Sequence, residues 1–267
     1  MGSVTTLSTP GIDDNHSVTS TKVDASAASD AHKDLQTSSL VNADKKGTYS
    51  VVLLAVADSN YKFVVVDVGG YGKQSDGGVL KQPIFGRLLD EGKLQLPWGL
   101  PLSNTALPAP CAFIGDEAFQ LRTDFMRPYP GRGLEARKRI FNYRLSRARQ
   151  NAFGILVTRW RILKRAMGEC PENADETVKA PCVLPNFLMD ARTGSDYFYC
   201  GPGYADSVSP KGKLQSGQWR QLVVQPPMQV AHTKAHNFAC MARYVSDIYL
   251  EYFNSAAGRV SWQDAVV

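Results

Sequence analysis

Two continuous apolar runs separated by a three-residue turn constrain the fold of this chain more than any other feature. Residues 48–57 (TYSVVLLAVA) and 61–70 (YKFVVVDVGG) are rich in β-branched side chains, and Asp58-Ser-Asn60 between them is typical of a turn. The pattern predicts an antiparallel hairpin. Because both runs are apolar on both faces, we expect the hairpin to be covered on each side.

Helical periodicity and one further strand follow the hairpin. The predicted elements are a helix from Ser75 to about Leu89, a buried strand Cys111–Asp116, a helix from Asn142 to about Met167, a helix around Thr177–Met189 with Pro181 and Pro185 inside it, and an amphipathic helix near Phe238–Phe253. This order predicts an α/β fold in which a mixed sheet is flanked by helices.

The first 46 residues differ in composition from the rest of the chain. They are rich in Ser, Thr, Asp and Ala, and no aromatic residue precedes Tyr49. Their apolar residues have neither a strand nor a helix period, which predicts a disordered or degenerate segment that contributes no core strand. We therefore divide the chain into an N-terminal segment 1–46, a core 47–190 and a C-terminal extension 191–267 with a loop and an amphipathic helix.

Composition excludes several classes of protein. No stretch approaches the roughly 18–20 apolar residues of a membrane span, so we expect no membrane association. The chain has five cysteines, which is an odd number, and no two of them form a CxxC pair. This argues against a disulfide framework or a structural zinc site. Reduced thiols are typical of nuclear and cytosolic proteins.

Positive charge is concentrated in one segment. Between Arg127 and Arg165 lie twelve Lys and Arg residues and one acid, Glu135, whereas the whole chain carries only +5. Such a stripe favours a polyanionic partner, and the alternative is a solvated helix face.

Several motifs in order resemble the core of Harbinger-type transposases. They are KGTYSVVLLAVADSNYKF (46–63), DVGGYG (67–72), FIGDEAFQL (113–121), FNYRLSRAR (141–149), NAFGIL (151–156), PGYAD (202–206) and GQWR (217–220). The resemblance covers about 220 residues and implies a nuclease of the ribonuclease H class. Its active site would be an Asp-Asp-Glu triad that holds a divalent metal, Mg²⁺ or Mn²⁺, and its substrate would be DNA.

The resemblance assigns the triad unevenly. Asp116, in Gly115-Asp116-Glu117, matches the second Asp and is the predicted catalytic residue and metal ligand. Asp14 is the candidate for the first Asp, although its neighbours do not match the family pattern and the sequence there does not predict the first strand of the sheet. Asp58 and Asp67 are interpreted as residues at the ends of the hairpin rather than as ligands.

The third member, a Glu before Asn-Ala-Phe-Gly, is missing. That position is Gln150, or else the segment is shortened by a deletion. A neutral amide offers only a carbonyl oxygen to a dication, so catalysis is expected to be impaired. One hypothesis is a nuclease that uses a substitute acid, Glu117 or Asp124. The other is an inactive transposase-derived protein that still binds DNA or a partner protein.

The basic helix supplies the predicted DNA contacts. The predicted nucleic-acid-binding residues are Arg144, Arg147, Arg149, Arg159, Arg161, Lys164 and Arg165. Contacts to phosphates would provide affinity with little sequence information, so a separate DNA-binding protein could supply the sequence specificity. The resemblance implies a location in the nucleus, with the cytoplasm as a second location.

Overall fold

The structure is a computed structural model that describes the chain in segments. These are residues 2–5, 17–25, 49–71, 84–94, 96, 100–115, 117, 119–164, 167, 171–190, 199–222 and 240–266. The strands are β1 Gly2–Thr5, β2 Ser17–Ala25, β3 Tyr49–Ala57, β4 Phe63–Tyr71, β5 Leu100–Pro101, β6 Pro108–Ala109, β7 Phe113–Ile114, β8 Phe125–Met126, β9 Ser207–Val208 and β10 Leu214–Gln215. The α-helices are α1 Ile84–Asp90, α2 Ala136–Arg159, α3 Pro171–Asp190, α4 Trp219–Leu222 and α5 Cys240–Asn254. This mixed α/β architecture confirms the predicted fold class.

The predicted hairpin is formed by β3 and β4, in which Leu54 lies opposite Asp67. Its turn is held by Asp58, whose Oδ1 accepts hydrogen bonds from the backbone N–H groups of Asn60 (2.9 Å) and Lys62 (2.8 Å). A carboxylate that accepts two local amides stabilises a tight turn. Asp58 is therefore a turn residue, in agreement with the sequence.

The main sheet has the strand order β4-β3-β2-β7-β8, and β1 pairs with β2. The strands β2, β3 and β4 are antiparallel, whereas β7 runs parallel to β2 and β8 parallel to β7. Three antiparallel strands that continue into two parallel strands make the mixed sheet expected of a ribonuclease H-like domain. The ends of β2 and β7 therefore decide where strand-end acids can meet.

The strand β2 corrects one expectation, namely that residues 1–46 contribute no core strand. It lies between β3 and β7 and pairs with β3 from Val18 to Ala25. Its sequence, SVTSTKVDA, has no apolar alternation. Pairing with the apolar β3 supplies its hydrogen bonds, so tertiary context sets its conformation. Apart from β1 and β2, residues 1–46 lie outside the described segments.

Both faces of the hairpin are covered, as predicted. On one face Leu53 and Ala55 pack in a cluster that includes Leu156 of α2 and Val178 of α3. On the other face Leu54 joins a cluster formed with α1, β7 and β8. The helix α2 begins six residues before its predicted start at Asn142, because its first turn is basic and carries no apolar period.

The helix α3 contains Pro181 and Pro185, as its sequence indicates. Its attachment to the hairpin depends on Asn186, whose Oδ1 accepts from the backbone N–H of Phe63 (2.8 Å). The Nδ2 of Asn186 donates to the carbonyl oxygen of the same residue (2.7 Å). This side chain binds the start of β4 as a neighbouring strand would.

The C-terminal helix α5 packs against α2. Its buried residues Tyr249 and Phe253 share a cluster with Phe141 and Leu145 of α2. Residues beyond 190 are thus in direct contact with the predicted core. Among the described helices, none has the length and apolar character that crossing a lipid bilayer requires.

Candidate functional site

The two predicted metal ligands, Asp14 and Asp116, lie outside the described residues. The strand that leads to Asp116 is well packed. Gly115 donates its N–H to the carbonyl oxygen of Met126 (2.7 Å). A Cβ atom on Gly115 would lie 2.4 Å from a ring carbon of Phe125, so only glycine fits there. This contact explains why glycine precedes the acid in the motif.

The chain after Asp116 is held by Arg127, which is 6% exposed. Its guanidinium donates to the carbonyl oxygens of Glu117 (3.2 Å) and Phe119 (3.0 Å). Burial lowers the pKa of Arg127 below its ordinary value, and the charge of Glu117 opposes that shift. A buried cation with two carbonyl acceptors fixes a loop more firmly than neutral hydrogen bonds do.

The register of β2 decides which of its residues faces β7. Ser17 pairs with Ile114, the last residue of β7. The acid within β2 is Asp24, which lies opposite Ser50 of β3. At about 3.3 Å per residue, Asp24 lies roughly 23 Å along the strand from Ser17. Because the sequence of residues 17–25 predicts no strand, Asp24 did not stand out as a candidate ligand. The backbone places it far from the end of β7.

Gln150, the predicted third triad position, lies in the C-terminal half of the unbroken helix α2. Its side chain is exposed, and its Oε1 accepts a hydrogen bond from Arg220 (3.4 Å). The same guanidinium binds both carboxylate oxygens of Asp206. Its Nε donates to Oδ1 at 2.8 Å, and a terminal nitrogen donates to Oδ2 at 2.5 Å. At the position predicted for the third triad acid, the structure therefore has an amide bonded to a cation.

Asp206 is the best enclosed carboxylate of this cluster, with a side chain only 2% exposed. Besides Arg220 it faces the Nε of Arg147 at 3.5 Å, and it accepts from the N–H of Gly217 at 2.8 Å. Burial raises the pKa of Asp206, but the hydrogen bonds from Arg220 and Gly217 and the charges of both arginines outweigh it. The pKa consequently lies below its ordinary value.

A second contact binds the C-terminal segment to α2. Asn151 Oδ1 accepts from the indole N–H of Trp219 (3.0 Å) and from the backbone N–H of Asp206 (3.3 Å). A Cβ atom on Gly154 would lie 2.1 Å from the Trp219 ring, so the indole packs directly on the helix backbone. The motifs Asn-Ala-Phe-Gly and Gly-Gln-Trp thus bind each other. The sequence displayed both motifs but gave no signal that they pair.

Three arginines predicted to contact DNA make specific protein contacts. Arg144 donates to the carbonyl oxygen of Gly258 (2.6 Å) and lies 3.9 Å from the centre of the Phe253 ring. Burial lowers the pKa of Arg144 to about 10. Arg147 lies between Asp206 and the ring of Trp262, whose centre is 4.7 Å away. These two side chains attach the C-terminal segment to α2.

The third arginine is Arg159. It and the other predicted DNA-binding residues differ in exposure and in the protein groups that they contact. Arg159 donates to the carbonyl oxygen of Tyr199 (3.0 Å) and stacks on Tyr204 at 3.9 Å. Arg149 is half-buried and has a protein partner, and Arg161 is exposed. The structure does not describe the side chain of Lys164, and Arg165 lies outside the described residues. DNA binding by this set stays a prediction.

The two substitute acids are placed differently. Asp124 accepts from Arg122 Nε at 2.8 Å, and Arg122 also bonds Asp90 and the carbonyl oxygen of Leu89. This network joins α1 to the loop before β8. Glu117 is half-buried and also has a partner. Asp124 is therefore already committed to a structural ion pair.

The donors described around Gln150 do not fit a divalent cation. Such ions take carboxylate oxygens, which here belong to Asp206, and both of them are hydrogen-bonded to Arg220. The amide of Gln150 brings no charge. Within the described segments, no three His, Cys, Asp or Glu side chains are grouped closely enough to hold a metal ion.

Comparisons with known proteins agree with this topology. Residues 21–186, from β2 to α3, match the sequence profile of the DDE superfamily endonuclease family. Protein ALP1-like from Arabidopsis thaliana is 32% identical over 161 residues, which are 58% of this chain and 39% of that protein. The chain thus spans about two-fifths of this relative, and no solved structure matches. Since the family profile covers more than half of the sequence, this chain belongs to the DDE superfamily endonuclease family.

Proposed function

We propose that this protein is a DDE endonuclease descendant of the Harbinger type that binds DNA and does not hydrolyse it. The observation that carries the proposal is the hydrogen bond from Arg220 to Gln150 at the third triad position. Endonucleases of this superfamily are generally dependent on divalent metals. Two-metal hydrolysis requires carboxylates that hold both ions, so an amide and a guanidinium at this position oppose it.

The charge of α2 and its flanks supports the DNA-binding half of the proposal. Twelve basic residues between Arg127 and Arg165 face one acid in sequence. Several are used internally, but Arg132, Arg139 and Arg161 are exposed. Exposed cations bind phosphates by releasing counterions, which gives affinity that depends strongly on salt. With DNA as the ligand, the proposal includes a location in the nucleus and a DNA-reading partner protein for specific target choice.

A second candidate is an active nuclease that holds Mg²⁺ or Mn²⁺ at Asp116. The packing of Gly115 under Phe125 and the hold of Arg127 on the following loop favour it, because a firmly held loop is what a metal ligand needs. The missing third carboxylate opposes it. The two candidates differ in whether Asp116 matters for any cleavage.

DNA binding is tested by gel retention of a duplex across a salt series. We expect retention that weakens with salt, and a smaller slope of log K against log salt in the double variant Arg139→Gln/Arg161→Gln. Each phosphate contact contributes about 0.9 to that slope, so its magnitude should fall by about 2. Arg87→Gln, an exposed change on α1 with the same charge effect per residue, should leave it unchanged. Absence of retention by the wild type contradicts the proposal.

A further inference from the structure

The second half of helix α3 is apolar on the side that faces solvent as well as on the side that faces the sheet. Towards the sheet it buries Val178 and Cys182. The exposed apolar residues on the other side are Val183, Leu184, Phe187 and Leu188. They are four of the twelve large apolar residues that are exposed in the described segments, and they lie within six consecutive positions. A helix that is apolar all round is normally buried, so this side of α3 indicates a contact surface.

These four residues and Ala180, which is also exposed, form the α3 apolar face. Their spacing places them within an arc of about 140° and along about two and a half turns of helix. Phe187 is 70% exposed and Val183 is 59% exposed. Apolar residues scattered singly over a surface need no explanation, whereas a contiguous apolar patch marks an interaction site.

Charge favours a second copy of this chain as the partner. The chain carries +5, with its basic residues concentrated between Arg127 and Arg165, so two copies repel each other across their basic surfaces. An acidic partner would be attracted to those surfaces instead. The α3 apolar face contains no charged residue, and beside it the side chains of Lys179 and Glu176 pair with each other at 2.6 Å. Two copies can therefore meet here without opposing like charges.

The shape of the α3 apolar face matches a second copy in the antiparallel orientation. Ala180 and Phe187 are seven residues apart, which is about two turns, so they lie on the same side of the helix. In an antiparallel pair centred between Val183 and Leu184, each Phe187 lies against Ala180 of the second copy, and two-fold symmetry makes this contact twice. The small side chain leaves room for the ring, as in knobs-into-holes packing. A parallel pair would instead set two Phe187 rings and two Glu176 carboxylates against each other.

We propose that two copies of this protein associate through the α3 apolar face, with their α3 helices antiparallel and a two-fold axis between Val183 and Leu184. Two faces of this length bury on the order of 1,000 Å² or less in total, which is the low end for specific interfaces, so the dimer is weak and depends on concentration. The inference does not require DNA binding. If DNA is bound, the dimer presents two copies of the basic helix α2 and gains avidity.

The test is sedimentation velocity of the full chain over a concentration series from about 1 to 100 μM, in which a small interface dissociates. The wild type should shift from monomer to dimer as the concentration rises. Phe187→Asp should raise the dissociation constant at least about tenfold, because it places a charge against the apolar face of the second copy. The matched control is Tyr244→Asp, an exposed aromatic residue on α5, which should leave the dissociation constant unchanged. Thermal melts should show that both variants fold.

Exchange of the two complementary residues tests the antiparallel arrangement. Phe187→Ala should weaken the dimer because the ring is lost. Ala180→Phe should also weaken it, because two rings then compete for the same space. The double variant Ala180→Phe/Phe187→Ala restores one ring against one small residue, so its dissociation constant should return to within about threefold of the wild-type value. A double variant that is as weak as the single variants overturns the antiparallel arrangement.

The outcomes also separate this inference from the proposed function. A wild type that stays monomeric over the whole series overturns the inference, and the α3 apolar face is then covered by another segment of this chain or by a different protein. A dimer that Phe187→Asp does not affect overturns it as well, since the contact then lies elsewhere. Salt-dependent retention of DNA by a protein that stays monomeric would leave the proposed function intact.

Discussion

The helix α2 has two sides that are attached to the rest of the molecule by different forces. Towards the sheet it presents Ala152 and Leu156, which pack against β3 in a dry cluster. Towards the C-terminal segment it presents Arg147, Asn151 and Gly154, which hold that segment through an ion pair, hydrogen bonds and one close ring contact. In the sequence, the side that faces the sheet appears as a helical period of apolar residues. The side that faces the C-terminal segment appears only as positive charge.

The difference between the two sides of α2 gives the basic residues on this helix a structural role. Cations on a helix are commonly assigned to a ligand, yet Arg144, Arg147 and Arg159 each bind protein groups 40 or more residues away. Their contribution should appear in stability before it appears in binding. Variants on the polar side of α2 therefore test whether the two sides really differ.

The largest effect is expected from Asp206→Asn. The substitution keeps the volume but removes the charge that both Arg147 and Arg220 face, in a side chain that is 2% exposed. Breaking a buried pair costs about 3–5 kcal/mol, and the lower end applies because Arg220 is 33% exposed. Urea unfolding should show this loss. The matched change Asp264→Asn, in an exposed pair with Arg259, should cost under about 1 kcal/mol.

A smaller effect is expected from Gly154→Ala. The new methyl group would meet the Trp219 ring at 2.1 Å, and overpacking costs about 1–3 kcal/mol. Gain of helix propensity offsets about 1 kcal/mol of that. The midpoint of urea unfolding should therefore fall slightly. The control is Gly201→Ala, because a Cβ atom there meets nothing within 4 Å. Equal unfolding midpoints for the two variants would contradict the close packing of Trp219 on Gly154.

The smallest effect concerns pH. The pKa of Asp206 is lowered in the folded state, so its stabilisation is fully present above the unfolded pKa near 3.9 and is lost as the pH falls through the folded pKa. The difference in unfolding free energy between the wild type and Asp206→Asn should hold from pH 7 to about 4. Below that it should shrink by at most about 1.4 kcal/mol per pH unit. A difference that grows with acidity would contradict the assigned sign.

Parts of the fold could be predicted because they depend on local patterns. The hairpin has apolar runs and an Asp58 turn, and α2 has an apolar stripe. The strand β2 escaped prediction because Thr, Ser and Lys fill it, and its conformation comes from pairing with β3. The partners of α2 could not be predicted, since Trp219 is 68 residues from Asn151 in sequence and no local period links them.

The sequence offered candidate residues for the site but not their arrangement. It predicted either Gln150 or a deletion at the position of the third acid, and with it an impaired metal site. It did not indicate that Arg220 bonds Gln150, or that Asp206 is the acid beside it. Contacts between polar residues that are distant in sequence leave no signature in composition. The arrangement of the site could therefore be seen only in the structure.

The central claim, DNA binding without hydrolysis, is tested most directly by nicking of supercoiled plasmid in Mg²⁺ and in Mn²⁺. The wild type should give no more open circles than Asp116→Ala. Gln150→Glu should not restore cleavage, because the new carboxylate would pair with Arg220 rather than with a metal. Nicking by the wild type that disappears in Asp116→Ala would contradict the account and establish a working metal site.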